Sequence, residues 1–309
     1  MSSEKSNPIP LNPPVKSLFY RLSQFVGFLL GARFFVAILL TFALYVSTFF
    51  LFNQDENFSS FVFDFKVHGI IFCTVLTILA GGIINQFYDV EKDHIVKPFR
   101  SRIQSFLKQK YFLYIYLFLS IISLGIATFI SYRVLLFFIF YQFVMWYYSH
   151  KLSRILIVNN LTFVALTLYP FFGMMVYYQT FSRKVLLMAI FLFLILLIID
   201  IVKDTLTRKV DEVFGYITIP NFFSKKATIT IIISLIVITM LVSGKIVVKS
   251  GLTGFMAYYF AAGLFVFITC IFLLIISTRR NKFITLNILR FWVFIGIISM
   301  LLNGIYGKI

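Results

Sequence analysis

Asn85, Asp89 and Asp93 recur every four residues at the polar end of a hydrophobic run, in the stretch Asn85-Gln-Phe-Tyr-Asp89-Val-Glu-Lys-Asp93. On a helix these residues share one face, about 6 Å apart along the axis. Three oxygen-bearing side chains in such a row suit a hard divalent cation, and Mg2+ is usually shared between one or two carboxylates and phosphate oxygens. A single Asp-x-x-x-Asp, taken alone, reads better as a solvated helix end. A second cluster, Asp200, Asp204, Asp211 and Glu212, changes the balance, because the two clusters hold seven of the eleven acidic residues. Carboxylates facing one another at a low-dielectric boundary repel and are costly to bury. Bound Mg2+ would remove that penalty. Lys92, Lys97, Arg100, Lys203 and Arg208 are then available for outer phosphate oxygens, or serve only topology. The ligand this chemistry describes is a diphosphate with a greasy tail lying between helices.

The elements that must position these acids are membrane spans. The chain has 309 residues, of which 61% are hydrophobic and only 13% charged, with a mean hydropathy of +0.97. A soluble domain carries about 25% charged residues. The net charge of +17 is accompanied by no aromatic-basic groove or nucleic-acid motif, so nucleic acid is excluded as the partner. Basic residues beside spans report orientation and anionic headgroups instead. Cys73 and Cys270 lie within apolar runs, which argues against a disulfide framework or a thiolate metal site. His68, His94 and His150 are too scattered for a metal set. No cleavable signal-peptide pattern is present. Residues 1–16 read as a flexible cytoplasmic tail and 17–309 as one transmembrane domain, with 17–30 a candidate interfacial helix.

Nine apolar segments are long enough, or nearly so, to span a bilayer: 34–52, 67–88, 111–130, 134–148, 157–178, 185–201, 229–243, 258–276 and 291–305. The fourth and seventh are short. With the N-terminus inside, 21 Lys and Arg fall on one side and seven on the other, the asymmetry expected of cytoplasmic loops. Both acidic clusters, after the second and sixth spans, then lie on the cytoplasmic side. The sequence therefore predicts an all-α, polytopic membrane helix bundle of about nine transmembrane helices.

Gly81-Gly-Ile-Ile-Asn85-Gln-Phe-Tyr-Asp89-Val-Glu-Lys-Asp93-His-Ile-Val-Lys97-Pro98 resembles the first signature of the UbiA-type membrane prenyltransferases, Asn-x-x-x-Asp-x-x-x-Asp followed by a basic-Pro pair. Lys203, Asp204, Asp211, Gly215, Thr218 and Pro220 resemble the second, with Thr207 standing where the family has its middle aspartate. Tyr148-Ser-His-Lys151-Leu-Ser153-Arg154, with Asn160 beyond, is similar to a third segment, in which Ser153 replaces the usual lysine. Arg33 is a single-residue match to an arginine before the first span.

The resemblance implies nine helices around a central cavity, capped by the two Asp-rich segments, and Mg2+-dependent transfer of a polyprenyl group from a polyprenyl diphosphate. Asn85, Asp89, Asp93, Asp204 and Asp211 are the implied metal ligands, the four aspartates and Tyr148 the catalytic set. Asn85, Lys92, Lys151, Arg154, Lys203 and Arg33 are the implied substrate-binding residues. The expected location is a bacterial inner membrane with the site facing the cytoplasm. Among family acceptors, the first motif leans toward a geranylgeranylglyceryl-phosphate-like lipid, with an aromatic acid such as 4-hydroxybenzoate second. A transporter using the acidic helix ends and a catalytically silent family member are the alternatives. Oligomeric state is not readable from the sequence.

Overall fold

The computed structural model describes residues 22, 25–27, 29–30, 32–52, 58–96, 98, 101, 109–249 and 254–307. The tail over 1–16, most of the candidate interfacial helix, Lys97 and Arg100 lie outside the described residues. Among those described, no strand occurs. The helix α1 (Phe34–Ser47) runs into a π turn over Thr48–Phe52. Then come α2 (Phe65–Tyr88), the short α3 (Val90–Val96), α4 (Gln109–Ile130), α5 (Tyr132–His150) and α6 (Val158–Tyr177). After α7 (Arg183–Val213) and the single-turn α8 (Ile219–Phe222) follow α9 (Lys225–Lys249), α10 (Gly254–Ile276) and α11 (Arg279–Gly307).

Each of the nine expected spans appears as one long helix. Eight are long and apolar enough to cross a membrane. The ninth, α5, carries Arg133, Gln142, Ser149 and His150 along its 19 residues, and it packs against α2, α4 and α6. Polar side chains there find partners inside the bundle: Gln142 Nε2 donates to Thr77 Oγ1 and to the Ser120 carbonyl, each at 3.4 Å. Some hydroxyls elsewhere are satisfied by their own helix, as Thr74 and Thr239 donate to carbonyls four residues back at 2.9 and 2.8 Å. The outer surface is apolar, with Phe129 92% and Phe65 81% exposed. Such a surface is a liability in water and normal against lipid.

Three helices are longer than the hydropathy pattern predicts. The run 185–201 becomes α7, which continues to Val213; 229–243 becomes α9; 291–305 becomes α11, which begins at Arg279. Hydropathy ends at the first charges, whereas backbone hydrogen bonding does not. The segments 202–226 and 279–290 are therefore largely helical rather than connecting loops.

The helices pack in a closed order. α1 packs on α2, α2 on α4 and α5, α6 on α5 and α7, α7 on α9 and α11, and α11 returns to α1. Gly81 lets α2 and α5 approach closely, since a Cβ there would sit 1.8 Å from Met145 Sδ. Because successive helices alternate in direction, the C-termini of α2, α5 and α7 and the N-termini of α1 and α6 share one end of the bundle.

Candidate active site

The first acidic motif straddles a break in the helix rather than lying on one continuous helix. Asp89 caps α2 with φ −100° and ψ 13°, and α3 starts at Val90. The four-residue rise nevertheless survives, through Asp89 N–H to Asn85 O at 3.0 Å and Asp93 N–H to Asp89 O at 2.8 Å. Asn85 Nδ2 donates to Asp89 Oδ2 at 2.9 Å, and Asp93 is buried. The bend lays α3 against α7, where Lys92 Nζ reaches Asp211 Oδ1 at 2.7 Å. Lys92, expected to meet substrate, thus also pairs with the second motif.

The second motif lies on one unbroken helix, α7, with Asp200, Asp204 and Asp211 all buried. Lys203 Nζ pairs with Asp200 and stands 3.5 Å from Asp204 Oδ1. Asn160, at the start of α6 and fully buried, donates its Nδ2 to both Asp200 Oδ2 at 2.7 Å and Asp204 Oδ2 at 2.8 Å. Thr207 faces the same way, its Oγ1 donating to Asp211 Oδ2 at 2.6 Å. The missing middle aspartate is replaced by a hydroxyl that bonds the last one.

Gly215 ends α7. At φ +71° it takes the left-handed conformation that costs any L-residue about 1–2 kcal/mol. Tyr216 N–H bonds Asp211 O at 2.8 Å and Gly215 N–H bonds Glu212 O at 3.2 Å, the paired bonds of a Schellman terminus. That turn brings Tyr216 back beneath Asp211. Asn221 Nδ2 holds the Tyr216 carbonyl at 2.7 Å, and the Tyr216 hydroxyl donates to Asp89 Oδ1. Burial, then the neighbouring Asp89 carboxylate, pushes the Tyr216 phenol up from its ordinary value, so it remains a donor. Lys92 Nζ lies 3.7 Å from the centroid of its ring and Arg154 Cζ 5.4 Å. Tyr88, Glu91, Lys92, Arg154, Phe214 and Tyr216 line a cavity of about 160 Å³ here.

The Tyr148 hydroxyl has Asp200, Lys203, Asp204 and Arg33 as its electrostatic neighbours, which joins Arg33 and the third segment to the second motif. Lys151 is exposed beyond the end of α5 and makes no ion pair among the described residues. The histidines are dispersed as expected: His68 bonds Tyr45, His94 bonds Ser101 and His150 stacks on Trp146. Cys73 and Cys270 are buried free thiols. Four residues escaped the sequence-level choice of site: Asp200, Asn160, Tyr216 and Asn221. Asp200 was visible, since it precedes Asp204 by one turn. The other three act through contacts that no local spacing reveals.

The donor set fits a hard dication. Among the described residues, Asp200, Asp204 and Asp211 form ion pairs with two lysines, Lys92 and Lys203. One buried oxygen here, Asn160 Oδ1, lacks a hydrogen-bond partner, and Asp211 Oδ1 meets the Lys92 ammonium at 2.7 Å. Among the described residues no three His, Cys, Asp or Glu side chains form a ready-made cage. Mg2+, which commonly completes its shell with water and substrate phosphate, does not require one.

Known structures share this architecture at low sequence identity. A digeranylgeranylglyceryl phosphate synthase superposes with a TM-score of 0.70 at 19% identity, covering 92% of this chain and 99% of its own. A UbiA homologue from Aeropyrum pernix K1 gives 0.65 at 16%, covering 88% and 97%. One from Archaeoglobus fulgidus, solved with GPP and Mg2+, gives 0.62 at 12%, covering 89% and 99%. No match was found among curated protein sequences. At these identities the structures speak for the fold alone. Residues 42–295 match the UbiA prenyltransferase family, and over that span the chain carries one acidic motif across the α2–α3 break and the other on α7; it belongs to this family of integral, multi-pass membrane proteins.

Proposed function

We propose that the chain transfers a polyprenyl group from a polyprenyl diphosphate to an acceptor within the membrane, in a Mg2+-dependent reaction. The observation that carries this reading is the meeting of two acidic motifs, 118 residues apart between Asp93 and Asp211, through Lys92–Asp211 and Tyr216–Asp89. Asn85, Asp89 and Asp93 would hold metal on one side and Asp204 and Asp211 on the other. Bound there, Mg2+ supplies charge neutralisation for a departing pyrophosphate.

The chain's own residues do the rest. Lys92, Arg154 and Lys203 carry positive charge to the diphosphate end and stabilise the leaving oxygen as the allylic C–O bond breaks. Tyr148 and Phe163, with ring centroids 6.3 Å apart, offer aromatic faces to a developing allylic cation. The apolar packing of α5, α6 and α7 keeps water from capturing that cation. The deficit of basic residues on the far side supports a cytoplasmic site. A cation pathway fits less well, because the acids are tied to lysines and Asn160 at one end of the bundle. For the acceptor, the form of the first motif supports a glycerol-phosphate lipid ahead of an aromatic acid.

Purified protein given prenyl diphosphates of graded length with either acceptor is expected to release pyrophosphate only when Mg2+ is present, and to yield a prenylated lipid identifiable by mass. Release that persists in EDTA, or its absence with every diphosphate, would refute the reading. Thr207 gives a finer check. Threonine offers Mg2+ only a neutral hydroxyl, so Thr207→Asp is expected to lower the Mg2+ needed for half-maximal rate by about tenfold without abolishing turnover. Superimposable Mg2+ curves for the two proteins would mean that residue 207 does not face the metal.

A further inference from the structure

Tyr216 holds no motif position, yet it touches several parts of the site. Its hydroxyl donates to Asp89 Oδ1, while Asn85 donates to Oδ2 at 2.9 Å. Both oxygens of this carboxylate are therefore oriented, yet each keeps a second lone pair free for a metal. Its ring lies beneath Lys92 Nζ at 3.7 Å and near Arg154 at 5.4 Å. Its backbone is fixed at both ends, by Asp211 O at 2.8 Å and Asn221 Nδ2 at 2.7 Å. Ile217 N–H additionally bonds the Arg154 carbonyl at 3.1 Å, so the loop also sets where the third segment lies. Only 6% of Tyr216 is exposed. A buried tyrosine needs one partner for its hydroxyl; this one links the first motif, the second motif and the third segment.

We propose that Tyr216 is a positioning residue with two separable parts: its hydroxyl orients Asp89 for metal, and its ring seats Lys92 for the diphosphate. The inference rests on the reading of the site given above. Hydrogen-bond partners behind a metal ligand commonly change metal affinity by about 10–100-fold. A cation–π contact contributes about 0.5–2 kcal/mol, enough for the one to Lys92 to change diphosphate binding by about tenfold.

The two parts are separated by Tyr216→Phe and Tyr216→Leu. Mn2+ binding to detergent-solubilised protein without substrate is read from the loss of the free-ion EPR signal. Inhibition by inorganic pyrophosphate is read at saturating Mg2+. Tyr216→Phe is expected to weaken Mn2+ about tenfold and to move the pyrophosphate inhibition constant by less than about threefold, since Arg154 loses only its contact with the hydroxyl. Tyr216→Leu is expected to weaken Mn2+ to the same degree and pyrophosphate about tenfold as well. Unaltered or tighter Mn2+ binding in Tyr216→Phe overturns the role of the hydroxyl, and equal pyrophosphate inhibition in both variants overturns that of the ring. Should Tyr216→Leu not fold, Tyr216→Phe still decides the first part. Phenylalanine and Trp at 216 then decide the second, because both keep a ring and must both retain pyrophosphate binding. Wild-type protein that takes up no Mn2+, or takes it up equally well after Asp204→Asn, overturns the reading of the whole site, and this inference with it.

Discussion

Replacing Asp89 or Asp204 by Asn is expected to lower prenyl transfer by about three orders of magnitude, equivalent to about 4 kcal/mol of transition-state stabilisation. Asparagine keeps the shape and one acceptor oxygen, so one of the two donors, Asn85 or Tyr216, can still bond position 89, but the charge that would meet a dication is gone. The fold should not suffer. Asp204 is buried beside Asp200, and removing one of two facing negative charges relieves repulsion as well as losing part of the Lys203 attraction. The mark of a functional acid is therefore lost activity at an unchanged or slightly raised Tm. Asp64 is the control. It caps the opposite end of α2, about 36 Å away along the helix, accepting from the backbone N–H groups of Lys66 and Val67 at 3.0 and 3.2 Å. Asparagine caps about as well as aspartate, so Asp64→Asn is expected to change the rate by less than about twofold. Comparable losses at Asp64 and Asp89 would remove the assignment of the site.

The spans were legible because lipid imposes one rule on every one of them, a long apolar stretch whose backbone bonds are internal. The helix ends were not. Nothing in 202–213 distinguishes a solvated helix from a loop by hydropathy, and α7 continues there because its charged residues have no backbone reason to stop before Gly215. The break at Asp89 was hidden for the opposite reason: no Gly or Pro marks it, and the four-residue spacing that identified the motif survives the bend. The Thr207–Asp211 bond is of the kind that local spacing can show, since i to i+4 contacts are a property of the helix itself. It could not show that Lys92 pairs with Asp211, or that Tyr216 bonds Asp89 across 127 positions. Asn160 had a place in a motif but no evident task. Its role exists only where α6 meets α7.

That role supplies the largest expected structural effect. Asn160 donates to one oxygen of Asp200 and one of Asp204, 40 and 44 residues away, in a place with no exposure. Hydrogen bonds to charged groups contribute about 1.5–3 kcal/mol each, and a buried acceptor left without its donor bears the cost in full. Asn160→Ala removes both at once and opens a small cavity. Its melting temperature in detergent is expected to fall by roughly 5–10 °C, together with most of the activity. Asn160→Asp is the sharper variant, because it fills the same volume but turns a donor into a third carboxylate facing two others. If the Nδ2 donor is what holds Asp200 and Asp204 together, the aspartate must be worse than the alanine despite its better fit. If volume is what counts, the aspartate must be the milder of the two. Thermal melts of both variants in EDTA separate these outcomes, and a milder Asn160→Asp would show that packing, rather than this shared amide, aligns α6 with the acidic face of α7.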